Sequence, residues 1–318
     1  MTSFSRKVAI ALGIGAFAVA GCTVGPAGRS DTIDVGVLVI TMFEAENQVW
    51  RTYEQLPDIV DVPGVPQAVR CNSHKLCVAE TGQGKVNAAT TMMAILGSGR
   101  FDFSHAYFLT AGIAGTPPDR GTVGGAALAR WIVDFDLGNH LVPADAPSVP
   151  YGFRPVEDYR TDAYKLDSAL VDKAFGWAQN VKLADSPEAV AERANYPGQA
   201  GRIPEVVQCD TMTGDDFFSG KQLSDTAAYI MNVRTQGAGI YCTTQMEDNA
   251  TAGALAAHGY LKRYLSLRTM SNFDQPYPGQ SVLAHLDEAS GGFPVALQNQ
   301  YTVGKALVEQ LLKNPPAT

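Results

Sequence analysis

Apolar residues in this chain cluster into short β-branched runs, separated by stretches with helical spacing. Val35 to Met42, VGVLVITM, is nearly uninterrupted and predicts a central parallel strand. Phe43-Glu44-Ala45-Glu46-Asn47 follows at once and predicts a helix opening there and running through Trp50. Val69–Cys71 and Leu76–Glu80 predict a hairpin, and Thr90–Leu96 a helix. Tyr107-Phe108-Leu109 then leads into Thr110-Ala111-Gly112-Ile113-Ala114-Gly115, which a Pro117-Pro118 turn closes. Small residues at the end of a buried strand let backbone amides approach a ligand. In an open α/β sheet, ligands sit at such strand ends. The stretch from Ala106 to Gly125 is therefore the expected centre of the molecule.

Further strands are expected at 125–134, 205–210, 238–241 and 264–270. Helices are expected at 166–179, 187–194, from Gln245–Ala250 to Leu261, and at 301–312. This alternation predicts an α/β fold, with a mixed central sheet flanked by helices in a single domain over 34–318. The polar stretch around 150–203 reads as a helical insertion.

Composition narrows the function classes. The chain has 318 residues, 46% of them apolar, and a formal charge of −8. An acidic chain without a basic run argues against nucleic acid as partner. At the N-terminus, Arg6 and Lys7 precede the apolar run Val8–Ala20, then Gly21 and Cys22. A basic start, a short apolar segment and a small-residue cleavage site make an export signal, not a spanning helix. Val19-Ala20-Gly21-Cys22 resembles a bacterial lipobox. Residues 1–22 are thus expected to be a lipoprotein signal peptide with Cys22 as the lipidation site, and 23–33 a tether. The expected location is outside the cytoplasm, at the outer face of the cell membrane or in the periplasm. The lipid would be the sole contact with the membrane, since no other segment has the roughly 18 apolar residues a span requires.

Of the five cysteines, Cys22 leaves Cys71, Cys77, Cys209 and Cys242. An even number in an exported chain suggests disulfides. Cys71 with Cys77 would close a small hairpin loop and Cys209 with Cys242 would be the other pair, although four cysteines allow three pairings. His74, His105, His140, His258 and His285 lack metal-ligand spacing. No cofactor motif is complete, so neither metal nor cofactor is expected. Gly82-x-Gly84 entering a helix offers free amides to a phosphate, but the Rossmann and Walker patterns are absent. Glu44 and Glu46 stand at a strand's carboxyl end, where acidic residues serve either a helix dipole or catalysis.

Five segments in order resemble the nucleoside phosphorylase and nucleosidase superfamily. They are Met42 with its trailing glutamates, Gly82-x-Gly84-Lys85-Val86, Ala111-Gly112-Ile113-Ala114-Gly115, Gly214-Asp215-Asp216-Phe217, and Met246-Glu247 followed by Arg268-x-x-Ser271-Asn272. More closely, residues 34 to about 315 resemble the purine nucleoside permease family, named for nucleoside uptake. The resemblance implies a nucleoside-phosphorylase-like domain. It also implies that Glu247 accepts hydrogen bonds from two ribose hydroxyls, with Met42 and Met246 as apolar contacts and Ser271 nearby. Ala111, Gly112, Ala114 and Gly115 would line base and ribose with backbone, and Phe217 would stack on the purine.

Two departures shape the expected chemistry. The resembling hexamer-type phosphorylases hold phosphate with arginines and a serine. Here Met42–Asn47 has no arginine, Thr110 precedes the glycine-rich loop, and Ile113 takes the serine's place. Water is then the expected nucleophile, with Glu46 as its base and Glu44 second. Asn272 stands where nucleosidases carry the acid that protonates the purine. An amide cannot deliver that proton, and Asp274 either compensates or caps the loop. The implied function is an exported purine-nucleoside-binding protein linked to uptake, hydrolysing the N-glycosidic bond as a nucleosidase. The alternative is a non-catalytic lipoprotein that hands nucleosides to a membrane transporter. Homo-oligomerisation stays open.

Overall fold

Val37, Leu38, Val39 and Ile40 are fully buried, and the strand they form, Val37–Thr41, is paired along both edges. It runs parallel to Leu76–Glu80 on one side and to Tyr107–Thr116 on the other. Burial on both faces is what a continuous β-branched run requires. The computed structural model describes residues 32–157 and 159–316. The signal and lipidation expectations on 1–22, and the tether up to residue 31, lie outside the described residues.

Tyr107–Thr116 is the hub of a mixed α/β architecture. Besides Val37–Thr41, it pairs in parallel with Tyr264–Phe273 along most of its length, and Gly115 bridges antiparallel to Thr244 of the strand Tyr241–Gln245. From there the sheet continues through Asp210–Thr213 and Trp131–Asp134 to Ala163–Lys165. On the far side it continues from Leu76–Glu80 to Val69–Cys71 and Asp58–Val60. Helices flank the sheet. The longest among the described residues, Phe293–Lys313, buries Val303, Leu307, Val308 and Leu311 in the main core.

Several boundaries differ from the pattern. The run 125–134 forms two strands, Ala126–Leu128 and Trp131–Asp134. Between them, Asp210 Oδ1 accepts the amides of Arg130 and Trp131, so the chain steps from one part of the sheet to another. The strand expected at 238–241 lies at Tyr241–Gln245, because Gly237 and Gly239 break the segment and Ile240 faces solvent. Lys221–Arg234 is a helix that the apolar spacing does not reveal, because its buried face includes Ser224 and Thr226. Within 150–203 stand the helices Ser168–Ala178 and Pro187–Ala194, and Ala163–Lys165 ties this region into the sheet by pairing antiparallel with Trp131–Asp134. Disulfides join Cys71 to Cys77 across the hairpin and Cys209 to Cys242 across neighbouring strand starts.

Candidate functional site

The ends of Val37–Thr41, Tyr107–Thr116, Tyr241–Gln245 and Tyr264–Phe273 deliver Met42, Ile113–Gly115, Met246–Glu247 and Ser271–Asn272 to one cleft of about 890 Å³. That volume is within the range of small-molecule sites.

At its floor, one guanidinium holds two acidic side chains and a third lies within reach of its charge. Arg268 is fully buried; its Nη2 donates to Asp248 Oδ1 at 2.6 Å and to Glu247 Oε2 at 3.1 Å, and Nη1 donates to the Ile113 carbonyl at 3.0 Å. Burial works against its charge, but Asp248 and Glu247 more than offset that and raise its pKa. Glu247 Oε1 also accepts the Gly84 amide at 3.1 Å. Gly84 has φ +89°, a conformation other residues rarely adopt, and its amide serves this carboxylate rather than a phosphate. Glu46, the third acid, accepts the Met42 amide at 2.7 Å and the Ile113 amide at 2.8 Å. Burial pushes its carboxyl up to about 8, although Arg268 and both amides pull it down. Gly112 makes room for this arrangement. A Cβ there would meet Met42 Cε at 2.0 Å, Glu46 Oε1 at 2.9 Å and Arg268 Nη1 at 3.0 Å. Glu44 points outward to Arg51 and does not line the cleft.

Toward the opposite end, Ala114, Gly115, Ser271 and Asn272 line the wall, and Phe217, two-thirds exposed, stands at the rim. Asn272 is fixed by its neighbours: its Oδ1 accepts from Ser271 Oγ at 2.8 Å and its Nδ2 donates to the Phe273 carbonyl at 2.8 Å. Ala111 and Gly112, expected to contact ligand, do not form the wall. Ala111 is fully buried in the sheet core and Gly112 lies behind Met42. Asp274 is buried behind Asn272, outside the main cleft. Thr110 shares a 2.6 Å hydrogen bond with Tyr264 in the core, and Phe218 stacks on Phe135.

The cleft's far wall was not legible as site in the sequence. Helix Pro187–Ala194 contributes Glu188 and Glu192, Tyr196 follows it, and the segment after Phe273 contributes Tyr277, His285 and Glu288. Glu192 clasps the two segments together by accepting from Ser290 Oγ at 2.7 Å and from the Gly292 amide at 3.1 Å. Ser186 and Pro187 signal a helix start, but nothing in the sequence says where that helix docks. Five glutamates line the cleft (46, 188, 192, 247, 288) against Arg268 and His285. Arg268 is already engaged, and burial lowers the pKa of His285. Even with Glu46 largely protonated near neutral pH, the other four glutamates leave a cleft that repels anions.

A family model described as purine nucleoside permease matches residues 34–316. The chain is 32% identical to a probable purine nucleoside permease of Schizosaccharomyces pombe, over 91% of this chain and 92% of that one. It is 30% identical to a purine nucleoside permease of Candida albicans, over 87% of this chain and 74% of the relative. Among solved structures it resembles a 5'-methylthioadenosine/S-adenosylhomocysteine nucleosidase of Colwellia psychrerythraea bound to adenine. There the TM-score is 0.59 at 14% identity, covering 88% and 96% of the two chains. The corresponding Neisseria meningitidis enzyme gives a TM-score of 0.58 at 17% identity, covering 87% and 99%. These likenesses establish a shared fold.

Proposed function

The chain belongs to the purine nucleoside permease family, and we propose from that premise that it binds a purine nucleoside in this cleft and hydrolyses the N-glycosidic bond. The observation that carries the proposal is Glu46: a buried carboxyl, held by two backbone amides, in a cleft that repels anions. Ionised, Glu46 takes a proton from the water that attacks the anomeric carbon. Glu247 accepts from two ribose hydroxyls, and both carboxylates stabilise positive charge developing on the sugar. Phe217 covers the base, while Asn272 offers its amide to the base edge. The acidic wall disfavours phosphate as nucleophile. Nucleosidases with this fold, one of them solved with adenine, support the same direction.

A second function competes on one observation. Asn272 cannot donate a proton, which suits a lipoprotein that binds nucleosides without cleaving them and passes them to a transporter. In phosphate-free buffer, hydrolysis predicts that the chain releases hypoxanthine from inosine. Asn272→Asp, which places an acid directly against the base edge, should raise that rate. Tight nucleoside binding without release by either protein would favour the non-catalytic binder.

Export through residues 1–22 and anchoring at Cys22 belong to the same proposal. Cys22→Ala should leave the mature protein soluble outside the cytoplasm when fractions are blotted. If the variant still sediments with membranes, the lipid anchor is wrong.

A further inference from the structure

Asp274 is a buried carboxyl that the hydrolysis described above leaves without a role. Its Oδ2 accepts from the Tyr241 hydroxyl at 2.7 Å, while Oδ1 has no hydrogen-bond partner among the described residues. The Ser224 hydroxyl stabilises the charge from nearby without reaching hydrogen-bond geometry. A buried oxygen left unpaired calls for an explanation. Asp274 also walls a small chamber of about 20 Å³, enough for one water. Gly115, Thr244, Met246, Asn272 and Phe217 wall the chamber and line the cleft as well, so the chamber adjoins the cleft at the proposed base end.

We propose that Asp274 is the proton source for the departing base, acting through one water in this chamber and past the amide of Asn272. The inference rests on hydrolysis being the reaction. As the glycosidic bond breaks, its electron pair goes to the base and the chamber water protonates a ring nitrogen. That water is reprotonated from the Asp274 carboxyl, whose O–H bond breaks. The attacking water loses its proton to Glu46, and its oxygen bonds to the sugar. Solvent then takes the proton from Glu46 and restores the one on Asp274. The sum is nucleoside plus water giving base plus ribose. Asp274 is a positioning residue in this scheme, since it touches the water and not the substrate.

Burial pushes the Asp274 carboxyl up to about 6, Ser224 and Tyr241 pull it down, and Asp119 raises it further. Asp216 from the chamber wall and Tyr196 from the insertion are the other titratable groups facing it. Turnover needs Asp274 protonated and Glu46, at about 8, ionised. Wild-type rate should therefore rise to about pH 6, stay level to about pH 8, and fall beyond. Asp274→Asn should be at least about tenfold slower at pH 6, and its rate should rise through pH 8 without falling. Adding Asn272→Asp to that variant should restore the rate. Unchanged breaks in Asp274→Asn would overturn the relay and leave hydrolysis standing.

Binding of free adenine and 7-deazaadenine tests the relay independently of turnover. Adenine should bind wild type more weakly as pH rises from 5 to 7, while 7-deazaadenine should not change. Asp274→Asn should flatten the adenine curve. That pattern in a protein that cleaves nothing would sink hydrolysis but keep Asp274 as a donor to the base. Indistinguishable curves for the two bases on wild type would overturn the relay whatever the turnover.

Discussion

Glu46→Gln should lower nucleoside cleavage by about 10²–10⁴-fold, the contribution of a general base, while nucleoside affinity changes little. The amide cannot accept the attacking water's proton, yet it fills the same space beneath Met42 and Ile113. The same substitution has a stability signature. Folding raises the Glu46 carboxyl from 4.5 to about 8, so between those pH values the folded chain holds more protons than the unfolded one. Stability from this group is complete below pH 4.5 and is lost as pH rises through 8. The slope is at most about 1.4 kcal/mol per pH unit. Glu46→Gln removes that slope, but its amide group faces one of the two backbone N–H donors, a mismatch costing about 1–3 kcal/mol. Thermal melts of both proteins from pH 5 to 9 should therefore converge, or cross, toward the alkaline end. Unaltered turnover in Glu46→Gln would remove Glu46 as the base.

Glu247→Ala should weaken nucleoside binding by about 10²–10⁴-fold, since two charge-assisted hydrogen bonds at about 1.5–3 kcal/mol each are lost. Binding of the free base, which has no ribose hydroxyls, should change by only a few fold. The fold should survive because Arg268 keeps Asp248 at 2.6 Å and the Ile113 carbonyl at 3.0 Å. Calorimetry with inosine and hypoxanthine separates the cases. Equal weakening for both ligands would make Glu247 a structural partner of Arg268 alone.

How far the site was legible depends on whether its residues sit at strand ends. Val37–Thr41 and Tyr107–Thr116 announce themselves as apolar runs, and Met42, Ile113–Gly115 and Glu46 follow directly from them. Arg268 stood in the pattern beside Ser271 and Asn272 but carried no assigned role. Its importance comes from acids gathered around it: Glu247 and Asp248 pair with it, and the charge of Glu46, 222 residues away in sequence, acts on it as well. Such long-range convergence has no local spacing. Gly112 was legible as a small residue, but not as the gap that admits Met42 and Glu46 rather than a ligand. The wall from Glu188 to Tyr196 was hidden differently. Its helix is readable from Ser186 and Pro187, whereas its clasp to Ser290 is a tertiary contact. The helix Lys221–Arg234 escaped because hydroxyl side chains take part of its buried face.

Hydrolysis itself is tested most directly by the sugar product. Inosine incubated with the mature chain in phosphate buffer, followed by phosphorus and proton NMR, should give hypoxanthine and free ribose, at a rate that added phosphate does not change. Accumulation of ribose 1-phosphate would contradict it, because phosphate would then have entered a cleft whose acidic lining should exclude it.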